Sequence, residues 1–128
     1  MQVYESVMGD RDGRVTHLLL RAERYLKDNR LLPRGWRADH ADARLTSAVG
    51  VDGDDDFRAG EDLVRFAIPA AGWTPARVEV ELLFQSVAPD AADAVRHAPT
   101  PSGARFNVMV EAHPPTPRVA ATAEAAVP

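Results

Sequence analysis

Two stretches of the chain, residues 63–68 and 77–84, have a pattern in which every second side chain is apolar and would lie on one face of a strand. A period of two residues is typical of strands that bury one face and leave the other in solvent. A loop rich in Pro, Gly and Ala separates the two stretches. The pattern therefore predicts two neighbouring strands in which Arg65 faces Glu79 or Glu81, a cross-strand ion pair that would help to set the register.

The beginning of the chain predicts a hairpin. Residues 2–7 are β-prone, and residues 9–13 are dense in the Gly and Asp that tight turns require. Residues 15–26 are ambiguous, because their apolar side chains recur at helical spacing, namely Val15, Leu18, Leu19, Ala22, Tyr25 and Leu26. The turn directly before them favours the second strand of the hairpin, and a strand is predicted here.

Proline and threonine positions predict two short helices in the last third of the chain. Pro89 suits the first turn of one helix, and Thr100 suits the cap of a second. A cluster of prolines at positions 114–117 would end the second helix. The Ala- and Val-rich residues 118–127 that follow are predicted to add a last strand.

Length and composition favour a single β-rich domain. The 128 residues are 45% hydrophobic, 27% charged and only 6% aromatic, and the mass is 13.9 kDa, which is the size of one ordinary domain. We predict a mainly β fold, a single antiparallel β-sandwich of jelly-roll type over residues 1–128, with one or two short helices near residues 90–112.

Charge and cysteine content exclude several classes of function. Nineteen acidic against fifteen basic residues give a formal charge of -4, which argues against nucleic acid or an anionic membrane as a partner. The chain has no cysteine, so it can form no disulfide, zinc–thiolate site or covalent CxxCH haem attachment, and we expect no cofactor in this chain. The apolar run at residues 18–20 is far shorter than the roughly 20 residues that span a bilayer, and no membrane span is predicted.

The most distinctive string is a run of four polar side chains of both signs, Lys27, Asp28, Asn29 and Arg30, which leads into a turn locked by Pro33. One interpretation is a self-bonded structural corner in which the Asp28 carboxylate accepts from Arg30 and from backbone N–H groups. The other interpretation is a loop that binds a partner.

Two further constellations suggest alternative functions. Trp36 and Trp73 could form a stacking platform for sugars, as in carbohydrate-binding β-sandwiches, or they could cap the core. The acidic run of Asp54, Asp55 and Asp56 could bind calcium or serve a small hydrolase, although a solvated acidic loop between strands explains it better. Residues 37–62 around this run are otherwise predicted to be surface connection, with one short strand near residues 48–51.

Seven blocks, which together span most of residues 2–122, lie at residues 4–10, 19–22, 25–33, 60–66, 78–87, 104–106 and 117–120. In these blocks the chain resembles the haem-free, C-terminal β-rich region of bacterial multihaem c-type cytochrome proteins. The string at residues 27–33 is the most specific of them. The resemblance also implies a strand rather than a helix within residues 15–26.

The resemblance implies a role beside electron-transfer domains. It predicts a non-catalytic module, not an enzyme, that forms the C-terminal part of a longer exported polypeptide in the periplasm or outside the cell. Its partner would be a haem-bearing domain of the same or a neighbouring polypeptide. Since the chain lacks every CxxCH motif, the module would have no redox role of its own.

Overall fold

A computed structural model describes residues 1–69, 71–72 and 76–127 of the chain. The chain divides into two units, Met1–Phe66 and Ala67–Pro128. Within the described residues there are four strands, which form two separate two-stranded antiparallel sheets, and three short helices. The prediction of antiparallel strands with short helices is confirmed at this level, while a jelly-roll sandwich stays a prediction.

The first unit is built on a hairpin. Strand β1 (Ser6–Gly9) pairs with strand β2 (Arg24–Asp28), with a bulge between Val7 and Met8. Gly9 leaves room for a side chain of the facing strand, because a Cβ atom there would lie 2.7 Å from the Leu26 Cδ2 atom and would force the Leu26 side chain to shift. Helix α1 (Ala43–Thr46) follows later in the unit.

The turn after β1 forms as the Asp- and Gly-rich sequence predicts. The carboxylate of Asp10 accepts hydrogen bonds from the backbone N–H groups of Asp12 and Arg14, at 3.0 and 2.9 Å. Gly13 adopts a φ of 78°, in the left-handed region that favours glycine. A side chain that bonds its own backbone two residues on is the usual reason for Asp in such a turn.

The predicted strand over residues 15–26 is wrong for most of its length, and the helical alternative is also wrong. Val15 forms only an isolated bridge to Gly9, and the strand itself begins at Arg24. Between them the chain makes a turn in which the N–H of Ala22 donates to the carbonyl of Leu18 at 3.1 Å. The apolar side chains at positions 18–20 are exposed. The apolar face that a helix over these residues would have is therefore not buried by any of the described residues.

The predicted strand at residues 63–68 is also absent, since the described residues 62–69 form no strand. The predicted ladder between Arg65 and Glu79 or Glu81 does not form, because residues 77–84 pair with the C-terminal residues 118–126 within the second unit. The Arg65 guanidinium donates instead to the Asp56 carboxylate at 2.7 Å. Alternation alone could not choose the neighbour of the second stretch, which pairs with the C-terminal segment.

The second unit combines a two-stranded ribbon with two helices. Strand β3 (Arg77–Phe84) pairs antiparallel with strand β4 (Arg118–Ala126), with a bulge between Leu82 and Leu83. Between the two strands come helix α2 (Pro89–Arg96) and helix α3 (Pro101–Ala112). The last strand and both helices were predicted from the sequence, and the structure confirms them.

A capping hydrogen bond and a close contact between backbone atoms position the two helices. The Thr100 hydroxyl accepts from the N–H of Gly103 at 3.0 Å, which satisfies one of the free donors at the start of α3. A Cβ atom at Gly103 would lie 2.7 Å from the carbonyl oxygen of Ala98, so only glycine lets α3 begin so near the end of α2. The Asn107 amide adds a 3.1 Å hydrogen bond to the carbonyl of Arg96.

The chain buries few apolar side chains. Among the described residues the only buried hydrophobic ones are Ala43 and Ala92, 7% and 8% exposed. The total accessible surface is 10695 Å², whereas two separate compact units of about 7 kDa would expose about 8,100 Å² together. A large apolar surface is therefore left uncovered.

No helix within the described parts of the chain has the length and apolar character that crossing a membrane requires.

Candidate functional site

Asn29, at the end of β2, lies at the centre of the polar string and is 5% exposed. Its side-chain oxygen accepts from the N–H of Glu5 at 3.0 Å, and its side-chain nitrogen donates to the carbonyl of Val3, also at 3.0 Å. The N–H of Asn29 donates to the carbonyl of Glu5 at 3.2 Å. One amide side chain thus completes the hydrogen bonds of the N-terminal segment as a neighbouring strand would.

Lys27 and Asp28 tie the same corner to two other segments. The ammonium of Lys27 donates to the carbonyl of Val3 at 3.2 Å and to the carboxylate of Glu5 at 3.1 Å. Through its backbone, Asp28 exchanges two hydrogen bonds with Val49, at 2.8 and 2.9 Å. The short strand predicted near residues 48–51 is therefore a single bridge, and it closes on the polar corner.

The side chain of Asp28 forms an ion pair with Arg30. The guanidinium donates from Nε at 2.8 Å and from a terminal nitrogen at 2.6 Å, one bond to each carboxylate oxygen. This paired hydrogen bond, which outweighs the opposing effect of burial, lowers the pKa of Asp28 below its ordinary value of 3.8, and the same contact raises the pKa of Arg30. After the corner, the N–H of Trp36 donates to the carbonyl of Pro33 at 3.0 Å and closes the turn.

Trp36 borders a surface pocket of about 520 Å³. Its indole N–H donates to the Thr46 hydroxyl at 3.0 Å, and the ring is half-buried. Arg37 and His40 also line the pocket, and Arg37 is paired with Asp39 at 2.6 Å. Trp73, the second ring of the predicted sugar platform, lies outside the described residues.

An acidic cluster forms from the run that the sequence singled out, but with a different membership. Asp54, Asp56 and Asp62 each offer a carboxylate oxygen within 4.8 Å of the others, and Asp55 is not part of the group. The bond from Arg65 lowers the pKa of Asp56. Desolvation, followed by the charges of Asp62 and Asp56, raises the pKa of Asp54.

Tyr4 joins this acidic cluster from the N-terminal segment. Its hydroxyl donates to the Asp62 carboxylate at 2.6 Å. Burial, and after it the bond to Asp62, raises the pKa of Tyr4 to about 12. The other oxygen of Asp62 is buried and has no hydrogen-bond partner within the described residues. Two of the three clustered carboxylates are thus already bonded, to Tyr4 and to Arg65.

The ribbon of the second unit presents an uncovered apolar face. Val78, Val80 and Leu82 lie opposite Ala125, Ala123 and Ala121 across the β3–β4 ladder, so these apolar side chains share one face. Every residue of β4 and nearly every residue of β3 is exposed. The helices contact each other, and within the described residues neither of them packs on the ribbon.

A smaller apolar groove lies along α3. Its volume is about 290 Å³, and Val87, Phe106, Met109, Val110, His113 and Pro115 line it. Val108 and Met109 on the same helix are 66% and 64% exposed. The second unit therefore offers two apolar surfaces, one on the sheet and one on the helix.

The four polar residues at 27–30 all take part in the corner. Two further residues, Tyr4 and Asp62, form a hydrogen bond that was not predicted from the sequence. Tyr4 and Asp62 are 58 positions apart, and no local pattern joins them. Asn29 was predicted as part of the corner, but the predicted bonds were those of Asp28 with Arg30 and with backbone N–H groups, and the two bonds of the Asn29 side chain to the N-terminal segment were not foreseen.

Comparisons with family models, with curated proteins and with solved structures found no significant match to the chain.

Proposed function

We propose that the chain is a non-catalytic structural and interaction module whose apolar surface is covered by a larger protein. The observation that carries this proposal is the lack of a core, since the only buried hydrophobic residues among those described are two alanines. Hydrophobic burial is the main favourable term in folding. A chain that leaves side chains such as Leu82 and Phe84 more than half exposed gains that term when it binds a partner.

The exposed area matches the size of a permanent interface. The chain exposes about 2,600 Å² more than two compact units of the same mass. Permanent complexes bury roughly 2,000–5,000 Å² or more counted over both partners, and their interfaces resemble a domain core cut in half. An excess of about 2,600 Å² on this chain alone therefore corresponds to the upper end of that range. The apolar ribbon face and the α3 groove would supply the apolar part of such an interface, and the predicted sandwich would be completed by the partner.

The partner that we propose is a haem-bearing domain of the same or a neighbouring polypeptide, in the periplasm or outside the cell. This part of the proposal rests on the resemblance of residues 25–33 and the other blocks to haem-free regions of multihaem cytochromes. It is compatible with the absence of cysteine, because the module would position a haem domain without carrying haem itself.

The experiment uses immobilised chain and a periplasmic extract from the source cells, with captured proteins stained for covalent haem. Wild type and a polar-face control, Thr122→Asn, should retain a haem-staining protein. The double variant Val80→Asp, Leu82→Asp should not, because it places two charges on the apolar face; circular dichroism verifies that its strands remain. Capture of no haem protein, or equal capture by all three chains, would contradict the proposal.

The pocket beside Trp36 supports a second candidate, a carbohydrate-binding surface. A half-buried indole that lines a pocket of about 520 Å³ is suited to stack on a sugar ring. Affinity electrophoresis on a set of polysaccharides, with Trp36→Ala and Trp73→Ala compared separately, tests it. Retardation that only Trp36→Ala abolishes would favour this function, and unchanged mobility on every polysaccharide would exclude it for that set.

A further inference from the structure

Strand β3 has a free edge. Within the described residues β3 pairs only with β4, so its other side has no strand neighbour. Just beyond the ladder the N–H of Val127 donates to the carbonyl of Ala76 at 3.1 Å. Because facing pairs alternate between bonded and non-bonded along an antiparallel ladder, Arg77, Glu79 and Glu81 direct their backbone N–H and C=O groups outward.

The length and composition of β3 suit a strand that pairs with a neighbour. Its apolar positions carry Val78, Val80 and Leu82, whereas the positions that face them on β4 carry alanine. Branched side chains are favoured on a pleated, half-buried surface. Edge strands that stay unpaired are usually protected by a very short length, by Pro, by a bulge or by charged side chains, Lys above all. Strand β3 is eight residues long without Pro or Lys, its bulge lies near one end, and its three charged side chains are of both signs, so that a second β3 strand can match them.

The charges of the ribbon leave one glutamate without a cation. Arg77 contacts Glu79 on its own strand and Glu124 on β4, the latter at 3.6 Å. Glu79 also lies directly opposite Glu124 in the ladder, where like charges are destabilising. Glu81 has no ion-pair partner among the residues that the structure describes. The polar face therefore holds three carboxylates around one guanidinium.

We propose that two copies of the chain pair through their β3 edges, antiparallel and with Glu79 at the two-fold axis. In this register Arg77 of each copy faces Glu81 of the other, which forms two new ion pairs. The outward N–H and C=O groups of positions 77, 79 and 81 meet their counterparts in the second copy. Val78 faces Val80 on the opposite side of the sheet, in the closely spaced non-bonded pairs.

Charge and length together select this register over its neighbours. A shift that places Val80 at the axis would bring Glu79 against Glu81 twice, and a parallel in-register pairing would bring each glutamate against itself. A shift that places Val78 at the axis would pair Arg77 with Glu79, but it would join only residues 77–79 of β3, whereas the proposed register joins residues 77–81. On β4 the bulge separates Arg118 from Glu124, so self-pairing through β4 offers no matched charges on one face. The β3 edge is thus the side of the ribbon that a second copy complements.

The pairing would join the two ribbons into one four-stranded sheet. The order would be β4, β3, β3, β4, with the larger apolar side chains on the central strands and alanines on the outer ones. Three or more strands with an apolar face are needed for independent stability, whereas a single two-stranded ribbon is marginal. This inference does not depend on the proposed haem-bearing partner, because it requires only the chain itself.

Sedimentation equilibrium of the purified chain over a range of concentrations tests the proposal, with two charge-reversed variants. Arg77→Glu and Glu81→Arg should each weaken dimerisation by about tenfold or more, because each change turns two favourable pairs into two repulsive ones. Mixed together, the two variants should form a heterodimer, since position 77 of each chain then faces an opposite charge at position 81 of the other. Glu111→Arg on α3 is the matched control, and it should dimerise as wild type does.

Two milder variants keep the test decisive if a charge reversal unfolds the ribbon. Glu79→Gln should tighten the dimer, because it removes the like-charge pair at the axis, and Glu81→Gln should weaken it. A monomeric wild type at several hundred micromolar would overturn the proposal. So would a dimer that Glu79→Gln and Glu81→Gln change in the same direction, or one that none of the β3 substitutions affects.

Discussion

The polar corner of the first unit and the ribbon of the second unit are stabilised in opposite ways. In the corner, Asn29 and Lys27 bond the backbone of the N-terminal segment, and Asp28 bridges to Val49. In the ribbon, β3 and β4 are held by their own ladder, and their side chains remain in solvent. The corner has its partners within the chain, while the ribbon presents a free edge and an apolar face.

The difference shows where the chain depends on other molecules. A buried hydrogen bond to a neutral partner contributes about 0.5–1.5 kcal/mol net, and it costs more than that to leave one of its groups unpaired. A small set of such bonds can hold the hairpin, the N-terminal segment and Val49 together without a large core. The ribbon has no equivalent, so its stability should increase when another surface covers it.

The largest effect is expected from Asn29→Ala, which should destabilise the first unit by about 2–4 kcal/mol. The substitution removes two hydrogen bonds and leaves the N–H of Glu5 and the carbonyl of Val3 unpaired in a partly buried place. Chemical denaturation followed by the fluorescence of Trp36, in a Trp73→Phe background, measures it. An unchanged midpoint would show that the corner does not hold the N-terminal segment.

Asp28→Ala should destabilise the same unit by about 1–3 kcal/mol, since it removes the mostly buried carboxylate and both of its hydrogen bonds with the Arg30 guanidinium. Arg34→Ala is the control; its side chain makes no ion pair within the described residues, and exposed charges contribute about 0–1 kcal/mol. Because Arg30 lowers the pKa of Asp28, this contribution is complete above pH 3.8 and is lost as the pH falls through the lowered pKa. Equal acid sensitivity of the variant and wild type would contradict this assignment.

Tyr4 should give a smaller effect at the alkaline end. Its pKa is raised from 10.0 to about 12, so the neutral phenol is favoured in the folded chain. The stabilisation should be complete below pH 10 and should disappear as the pH rises from 10 to 12. Tyr4→Phe, which loses the bond to Asp62, should lower stability by about 1 kcal/mol at pH 7 and should lack this alkaline loss. Thermal melts of both proteins from about pH 8 to pH 11 distinguish them.

The smallest effect is expected from calcium. Two of the three clustered carboxylates, Asp56 and Asp62, are already bonded to Arg65 and Tyr4, so millimolar calcium or a chelator should leave the melting temperature unchanged. A bound ion would stabilise the folded state by mass action. A rise in the melting temperature that Asp62→Asn abolishes would therefore favour the calcium-binding alternative.

The sequence predicted those elements whose causes are local. Pro89, Thr100 and the prolines after α3 define the helices by capping and by breaking, and Asp10 and Gly13 define the turn after β1. Each of these residues acts within a few positions of itself, and therefore its effect can be read without knowing the rest of the fold.

Features that depend on contacts between residues far apart in the sequence could not be predicted. The alternation at residues 63–68 is typical of a strand, but the strand that pairs with β3 is β4. The apolar side chains of residues 15–26 recur at helical spacing, but those at positions 18–20 are exposed. Because no surface within the described residues buries them, the helix that this spacing would favour does not form. Tyr4 and Asp62 meet only because the first unit folds, and their sequence separation of 58 positions leaves no local signal.

Hydrogen–deuterium exchange of the isolated chain at micromolar concentration tests the comparison most directly. The amides of Asp28, Asn29 and Val49, which are bonded within the corner, should be protected. Those of Val80 and Leu82 in the bare ribbon should exchange nearly as fast as an unfolded peptide, and they should gain protection as the concentration rises or a partner binds. Protection in the dilute ribbon equal to or greater than that of the corner would contradict the claim that the ribbon needs a second surface.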